Sequence, residues 1–432
     1  VLDRCRVPPD MVAALFVVGL LVAVFVGFNI GGSSTGVAFG PAVGSDTISK
    51  TAAAGLMSVF VLLGGWTVGR RVVDRLGRDI VTTPFTLEVS IGILFFVGVA
   101  LFLSNVAGVP ASTSMTAVGA IAGLGLAEGT LNWASMGQIV SWWLVSPILA
   151  FWVSAIIGRY FYPDLVEWFA VTQSEGSLLV LDRTGAVPRP TLGPNTTRRE
   201  LLGTALVVAI GCYMAFSAGA SNVANAVAPL VGSGDLGMNQ GILLGAGAIG
   251  LGAFTIARRT MDTVGNDLTE LPLLAALVVA TVSSTIVTAL SALRVPASFV
   301  IIATMSIVGL GWGRATRTVT LSEARQGTAP EVSVGALAAD AEDAPTVGGE
   351  GGTPEGHDDG SRVRDDGSAT GNDDASGGPD VSPIGAEDEA DIPDAEDLFE
   401  PGTTARVIFL QNVVPSIATV ASYLLFRFLP VA

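Results

Sequence analysis

Nine or ten runs of mostly apolar residues divide this chain, near 11–31, 49–69, 85–104, 109–127, 137–158, 201–218, 239–257, 270–291, 296–313 and 405–429. About 20 such residues are what an α-helix needs to cross the hydrocarbon of a bilayer. Backbone polar groups there have no water to bond, so each crossing segment satisfies its own as a helix. The pattern predicts an all-α polytopic protein of the cell membrane. The first run follows basic RCR and could pass for a secretory signal, but no small-residue cleavage site and soluble domain follow, and a retained helix is expected.

Charge is distributed unevenly. The chain has 38 acidic and 22 basic residues, a net of −16. Residues 321–400 hold 22 of the acids and 3 arginines, so the other 352 residues carry 38 − 22 = 16 acids against 22 − 3 = 19 bases. That acidic tract is rich in Gly, Asp, Glu, Ser and Pro and contains one aromatic residue, Phe399. It buries too little apolar surface to offset its chain entropy and is expected to be disordered. Lys50 is the single lysine among the bases, and with the acidic tract this resembles proteins of salt-loving archaea.

Several kinds of chemistry are excluded by what is missing. His357 is the one histidine and lies in the acidic tract, which removes HExxH zinc hydrolysis and Ser-His-Asp acyl transfer. Cys5 and Cys212 are far apart, so neither a disulfide framework nor a metal cluster is suggested. Charged residues within the apolar runs are almost absent, and no enzyme, cofactor or nucleic-acid partner is expected.

The chain is internally duplicated. GFNIGGSSTGVAFGPAVGS begins at Gly27 and GASNVANAVAPLVGS at Gly219, an offset of 192; Arg70 and Arg71 answer Arg258 and Arg259, an offset of 188; Pro110 answers Pro296, an offset of 186. The expected organisation is a first transmembrane repeat over 1–158, a polar connector over 159–200, a second repeat over 201–319, an acidic linker over 320–403 and a last helix over 404–432. Duplicated membrane halves whose helices are interrupted by glycine at corresponding places are a mark of secondary transporters, and the interruptions point to the substrate site.

GFNIGGSSTG and SAGASNVANA are dense in Gly, Ser, Thr and Asn at bilayer depth, so each predicts a broken helix lining a wet cavity. A break exposes the amides of the following half-helix, whose dipole attracts an anion, while the released carbonyls suit a small cation. Ser33, Ser34, Thr35, Ser221 and the amides of Asn29, Asn222 and Asn225 could donate to oxyanion oxygens. PASTS, Pro110 to Ser114, adds three hydroxyls where a proline favours a helix start. The short, Gly-rich segments 109–127 and 296–313 fit re-entrant hairpins as well as full spans. Against all this, Gly, Ser and Ala also let transmembrane helices pack closely. The arginines and Asp262, Asp267 and Glu270 fit solvated loops, and Trp142, Trp143, Trp152 and Tyr160 fit interface anchors or packing rather than a ligand box.

GASNVANAVAPLVGS (219–233) resembles the GANDVANA signature of the inorganic phosphate transporter (PiT) family. RTMDTVGNDLTEL (259–271) and VPASTS (109–114) are similar to that family's other two blocks, and all occur in family order. The resemblance implies two inverted repeats with broken helices and paired hairpins, and a carrier of phosphate by alternating access, coupled to co-transported Na+ or H+. Sulfate or another oxyanion, or an uncoupled channel-like or regulatory relative, are the alternatives. A homodimer in the lipid bilayer is one assembly open to it. Carried over by residue, Asn29 matches the first-half signature Asn and Ser33 its later Asn, while Ser221 and Asn222 replace Asn and Asp and Asn225 matches. Ser112, Thr113 and Ser114 match the hydroxyl run, whose second copy keeps Ser298 alone before Phe299 and Val300. The candidate site is therefore Asn29, Ser33, Ser34, Ser112, Thr113, Ser114, Ser221, Asn222, Asn225 and Ser298, with Na+ near Asn29, Asn222 and Asn225. The family's two acids are replaced by Ile30 and Asn222, which alters cation coupling and anion selectivity together. Basic loops at Arg70–Arg78 and Arg258–Arg259 would both favour the cytoplasm by charge, whereas inverted repeats place equivalent loops on opposite sides.

Overall fold

A computed structural model describes residues 9–44, 47–106, 112–169, 179–182, 189–192, 198–257, 273–315 and 401–428. The acidic tract up to residue 400, His357, Pro110 and the 258–272 segment with Arg258, Arg259, Asp262, Asp267 and Glu270 lie outside the described residues. The elements are α1 (Pro9–Gly44), α2 (Lys50–Asp79), α3 (Leu87–Val106), α4 (Thr113–Glu128), α5 (Trp133–Val166), β1 (Leu179–Asp182), β2 (Arg189–Leu192), α6 (Arg198–Gly232), α7 (Met238–Thr255), α8 (Leu273–Ala292), α9 (Phe299–Ala315) and α10 (Pro401–Phe428). Among the described residues, six helices are long and apolar enough to cross a membrane, namely α1, α2, α3, α5, α6 and α8. Large apolar side chains such as Leu21, Phe95, Leu103, Leu144, Ile148 and Trp152 are exposed on the outside, the arrangement expected of a surface solvated by lipid. This is a multi-pass membrane protein. Among the described residues the departure from an all-helical fold is small: β1 and β2 pair antiparallel within the connector.

Glycine contacts fix how the halves fit together. At Gly31 of α1 a Cβ would overlap the Ile249 carbonyl oxygen of α7, and at Gly219 of α6 it would overlap the Val61 carbonyl oxygen of α2. Gly252 meets the Phe28 carbonyl, and Gly64 meets that of Phe216. In each case the second contact is the first one with 188 added or subtracted. The first helix of each repeat is thus packed on the second helix of the other, backbone to backbone, as small residues permit in membranes. The halves interlock.

The same contacts give the repeat its direction. Gly19 of α1 lies against Leu230 of α6, and Gly211 of α6 against the Ala38 carbonyl and Phe39 of α1. Equivalent helices therefore run antiparallel, and the repeats are inverted about an axis in the membrane plane. They also correct a sequence register. The signature segments correspond with an offset of 188, not 192, so that Pro41 matches Pro229 and the helices end at the matching Gly44 and Gly232.

α10 has a counterpart too. Gly309 of α9 meets the Phe151 carbonyl of α5, and Gly123 of α4 meets the Thr419 carbonyl of α10, while Ser422 donates to the Ala120 carbonyl at 2.7 Å. α10 stands to α4 as α5 stands to α9. It completes the second repeat, and the acidic tract is an insertion before that repeat's last helix.

The expected helix breaks are not there. α1 and α6 run unbroken through both signature segments for 36 and 35 residues. The polar side chains bond back to their own helix: Asn29 Nδ2 to the Phe25 carbonyl at 2.8 Å, Ser33 Oγ to that of Ile30 at 3.1 Å and Thr35 Oγ1 to that of Gly31 at 2.7 Å. Hydroxyls that reach the preceding turn are compatible with continued helix, and the glycines serve the interlocking contacts. At about 1.5 Å per residue α1 is about 54 Å long, well beyond the hydrocarbon thickness.

The 109–127 segment does not turn back on itself: its described part is one helix, α4, which pairs with α3. The start of α3 and the end of α4 meet at one surface, where Thr82 N–H bonds the Thr130 carbonyl at 2.9 Å and Asn132 N–H that of Ile80 at 2.8 Å. α3 goes in and α4 comes back. α8 and α9 span the equivalent residues with 186 added.

Candidate functional site

Two helices of the hairpins begin inside the protein. At α4 the Ser112 hydroxyl accepts from Met115 N–H at 3.2 Å, and the Ser112 carbonyl from Thr116 N–H at 3.0 Å. At α9 Ser298 makes the same two bonds, to Ile301 N–H at 3.4 Å and Ile302 N–H at 3.2 Å. A serine N-cap satisfies the third amide of a helix and leaves the first two for other partners. Those are the amides of Thr113 and Ser114 on one side and of Phe299 and Val300 on the other.

Both starts border one cavity of about 50 Å³, lined by Ser33, Ser34, Val37 and Ala38 of α1, Ser112 and Thr113, Met214, Ala218 and Asn222 of α6, and Phe299 and Val300. A water needs about 10–15 Å³ by this kind of measure, so the space holds a few waters or a small ion. None of the lining side chains is titratable. Positive potential comes instead from the two helix N-termini, about half an elementary charge each.

Behind the cavity wall lies a polar cluster joining the repeats. Thr113 Oγ1 donates to Asn222 Oδ1 at 2.7 Å, and Ser114 and Ser221 hydroxyls are 3.2 Å apart. Ser221 Oγ donates to the Ala297 carbonyl at 3.1 Å, which ties α6 to the loop before α9. Asn225 Nδ2 has three oxygens around it, Ser114 Oγ at 3.1 Å, Thr113 Oγ1 at 3.2 Å and Asn222 Oδ1 at 3.3 Å. An amide nitrogen carries two hydrogens, so one of the three is left over, and Asn225 Oδ1 is buried with no donor. Such an excess of neutral oxygens suits a small hard cation. Across the pseudo-twofold axis Asn222 Nδ2 reaches Ser34 Oγ at 3.5 Å.

Of the candidate residues, Ser33, Ser34, Ser112, Thr113 and Asn222 line the cavity, and Ser114, Ser221 and Asn225 stand directly behind it. Ser298 caps α9 and borders a separate small space beside Trp143. Asn29 does not join them. Its side chain accepts from Asn105 Nδ2 of α3 at 3.2 Å, making it a strut between helices. In the corrected register the counterparts of Asn222 and Asn225 are Ser34 and Val37, so the first-half position facing Asn222 holds Ser34, and Ile30 corresponds to Ala218. Val37, Met214 and Ala218 were not legible as lining. The spacing shared by Pro41 and Pro229 is the signal that places Val37.

An inverted repeat of interlocked helices, enclosing an uncharged cavity beneath two helix N-termini, defines a membrane carrier for a small anion. Residues 30–329 match the Phosphate transporter family, and the chain belongs to that family. It is 31% identical over 297 residues to the sulfate permease CysP of Bacillus subtilis (strain 168), covering 68% of this chain and 77% of the relative. A putative phosphate permease of Thermococcus kodakarensis is 24% identical over 366 residues, 69% of this chain and 90% of that one. A solved structure titled as the sodium-dependent phosphate transporter shares the fold, with a TM-score of 0.62 at 16% identity over 96% of this chain and 99% of that one.

Proposed function

We propose that this transporter moves an inorganic tetrahedral oxyanion, phosphate being the family's namesake, by alternating access around the cavity between α1, α4, α6 and α9. The convergence of two capped helix starts on one uncharged space carries this reading. Backbone amides and the hydroxyls of Ser34 and Thr113 supply donors, as anions at helix N-termini require. Inverted repeats allow the halves to exchange conformations, which opens the cavity to either side in turn.

A second reading has its own support. Both positions that would hold an acid carry neutral Ser34 and Asn222, and the relative at 31% identity is a sulfate permease. Sulfate has no proton to donate, so it does not need a carboxylate acceptor.

For coupling, the surplus oxygens around Asn225 support Na+ as the co-transported ion, with Thr113, Ser114, Ser221 and Asn222 nearby. A proton would need a titratable carrier, and no lining residue is one. The Lys-poor composition and acidic tract support a salt-adapted host.

Uptake of labelled phosphate and sulfate into proteoliposomes, with and without an inward Na+ gradient, tests the reading. Saturable, gradient-stimulated entry of either anion is expected; failure of both to enter sinks it.

A further inference from the structure

The duplicated site is lopsided. Where the α4–α6 side presents Thr113, Ser114 and Asn225, the equivalent positions on the α1–α9 side are Phe299, Val300 and Val37, and all three of these line the cavity. Met214 and Ala218 extend the apolar wall. Equivalent positions thus differ in polarity, and the lining mixes Ser33, Ser34, Ser112, Thr113 and Asn222 with these apolar side chains, although the fold around them is the same.

Three properties of a ligand follow. Asn222 lies between Thr113 at 2.7 Å and Ser34 at 3.5 Å, so the polar side chains form one cluster and the ligand's oxygens gather there. The rest of the lining, including Val37 and Met214, offers no side-chain donor, so an oxygen there would be unpaired and an alkyl group would be desolvated favourably. Its charge is compensated by two half-unit helix dipoles and no basic side chain, which matches a monoanion better than a dianion. The third oxygen partner is weakly committed, since Asn222 Nδ2 reaches Ser34 Oγ only at 3.5 Å and can turn to a ligand.

We propose that the cavity takes a small alkanesulfonate, R–SO3−, with one or two carbons in R lying on the Val37, Met214, Phe299 and Val300 wall. A sulfonate has three equivalent acceptor oxygens, carries one negative charge throughout the physiological pH range and has no proton to donate. This rests on the proposed oxyanion-carrier reading and narrows its substrate class.

The test uses full-length protein in proteoliposomes. Methanesulfonate and ethanesulfonate are titrated against uptake of labelled sulfate and of labelled phosphate, with unlabelled sulfate and phosphate as reference competitors. An unpaired buried oxygen is worth a factor of about 5 to 150, so methanesulfonate should inhibit at about a tenfold lower concentration than the inorganic anion. Val37→Asn should reverse that order, and Phe299→Thr serves as a second variant should the first not fold. Inorganic uptake untouched by a hundredfold excess of either sulfonate overturns the proposal. If neither inorganic anion enters, direct uptake of labelled methanesulfonate decides. Its entry supports the sulfonate and overturns the inorganic-substrate reading, and its failure overturns both.

Discussion

α1 and α6 are built alike and used differently. Both run unbroken through their signature segments, both lay a glycine on a backbone carbonyl of the opposite repeat, and both end in the same Pro-to-Gly turn. Yet α6 presents Ser221, Asn222 and Asn225 to the hairpin start at α4, whereas α1 presents Ser33, Ser34 and Val37 near α9. Packing is held by the symmetry, because a Cβ at either glycine meets backbone that cannot move aside. Chemistry at the cavity is free to diverge, because exchanging Asn for Val there leaves the helix contacts intact.

The largest test of this contrast is at the glycines. Gly31→Leu and Gly219→Leu should each cost about 3 kcal/mol or more by overpacking, read as loss of monodisperse protein in detergent. Tolerance of one but not the other would show that the two packings are not equivalent. At the cavity the halves should part company. Asn222→Ala removes the acceptor of Thr113 and should reduce uptake about tenfold, within the range for an orphaned buried group. Ser34→Ala, at the symmetry-related position, should reduce it about threefold, and equal losses would argue against a lopsided site.

Asn222→Asp restores a charge beside the anion and its cation. Uptake should fall several-fold at low Na+ and recover as Na+ rises, since the ion then neutralises the carboxylate; a Na+-independent loss would dissociate this position from coupling. Asn29→Ala should lower stability by about 1 kcal/mol through loss of its bond to Asn105, with the apparent KM unchanged. The smallest effect expected is that of pH. Sulfate uptake should be flat between about pH 6 and 8, because no residue lining the cavity titrates. A sigmoidal profile would reveal a proton-carrying group elsewhere.

The spans, the duplication and most of the site were legible in the sequence, because apolar length and clustered polar residues at bilayer depth are both direct physical signals. The register was less so. GFN at 27–29 imitates the glycine and asparagine of the second-half signature and drew the alignment four residues out of phase, although Pro41 and Pro229 share the 188 spacing of the arginine pairs. Asn29 was misplaced for that reason. The helix breaks were expected because Gly, Ser, Thr and Asn are dense at bilayer depth in both signature segments. Here Ser33 and Thr35 close their hydrogen bonds on the preceding turn and the glycines admit a neighbouring backbone, so the same residues keep the helix whole. The place of α10 was hidden by the acidic tract, which displaces it about 80 residues along the chain from where its repeat would put it.

Interlocking also governs how the chain can be made. The glycine face of α1 has its partner in α7, where Ile249 follows Gly31 by 218 residues, and that of α2 in α6, where Phe216 follows Gly64 by 152, so neither can be buried until the second repeat has been synthesised and inserted. Contacts of such long sequence separation form late. Early in biogenesis the first repeat therefore waits in the membrane with its grooves open, and a chain ending before residue 200 should persist as separate inserted helices that a full-length second repeat, supplied in trans, can still capture.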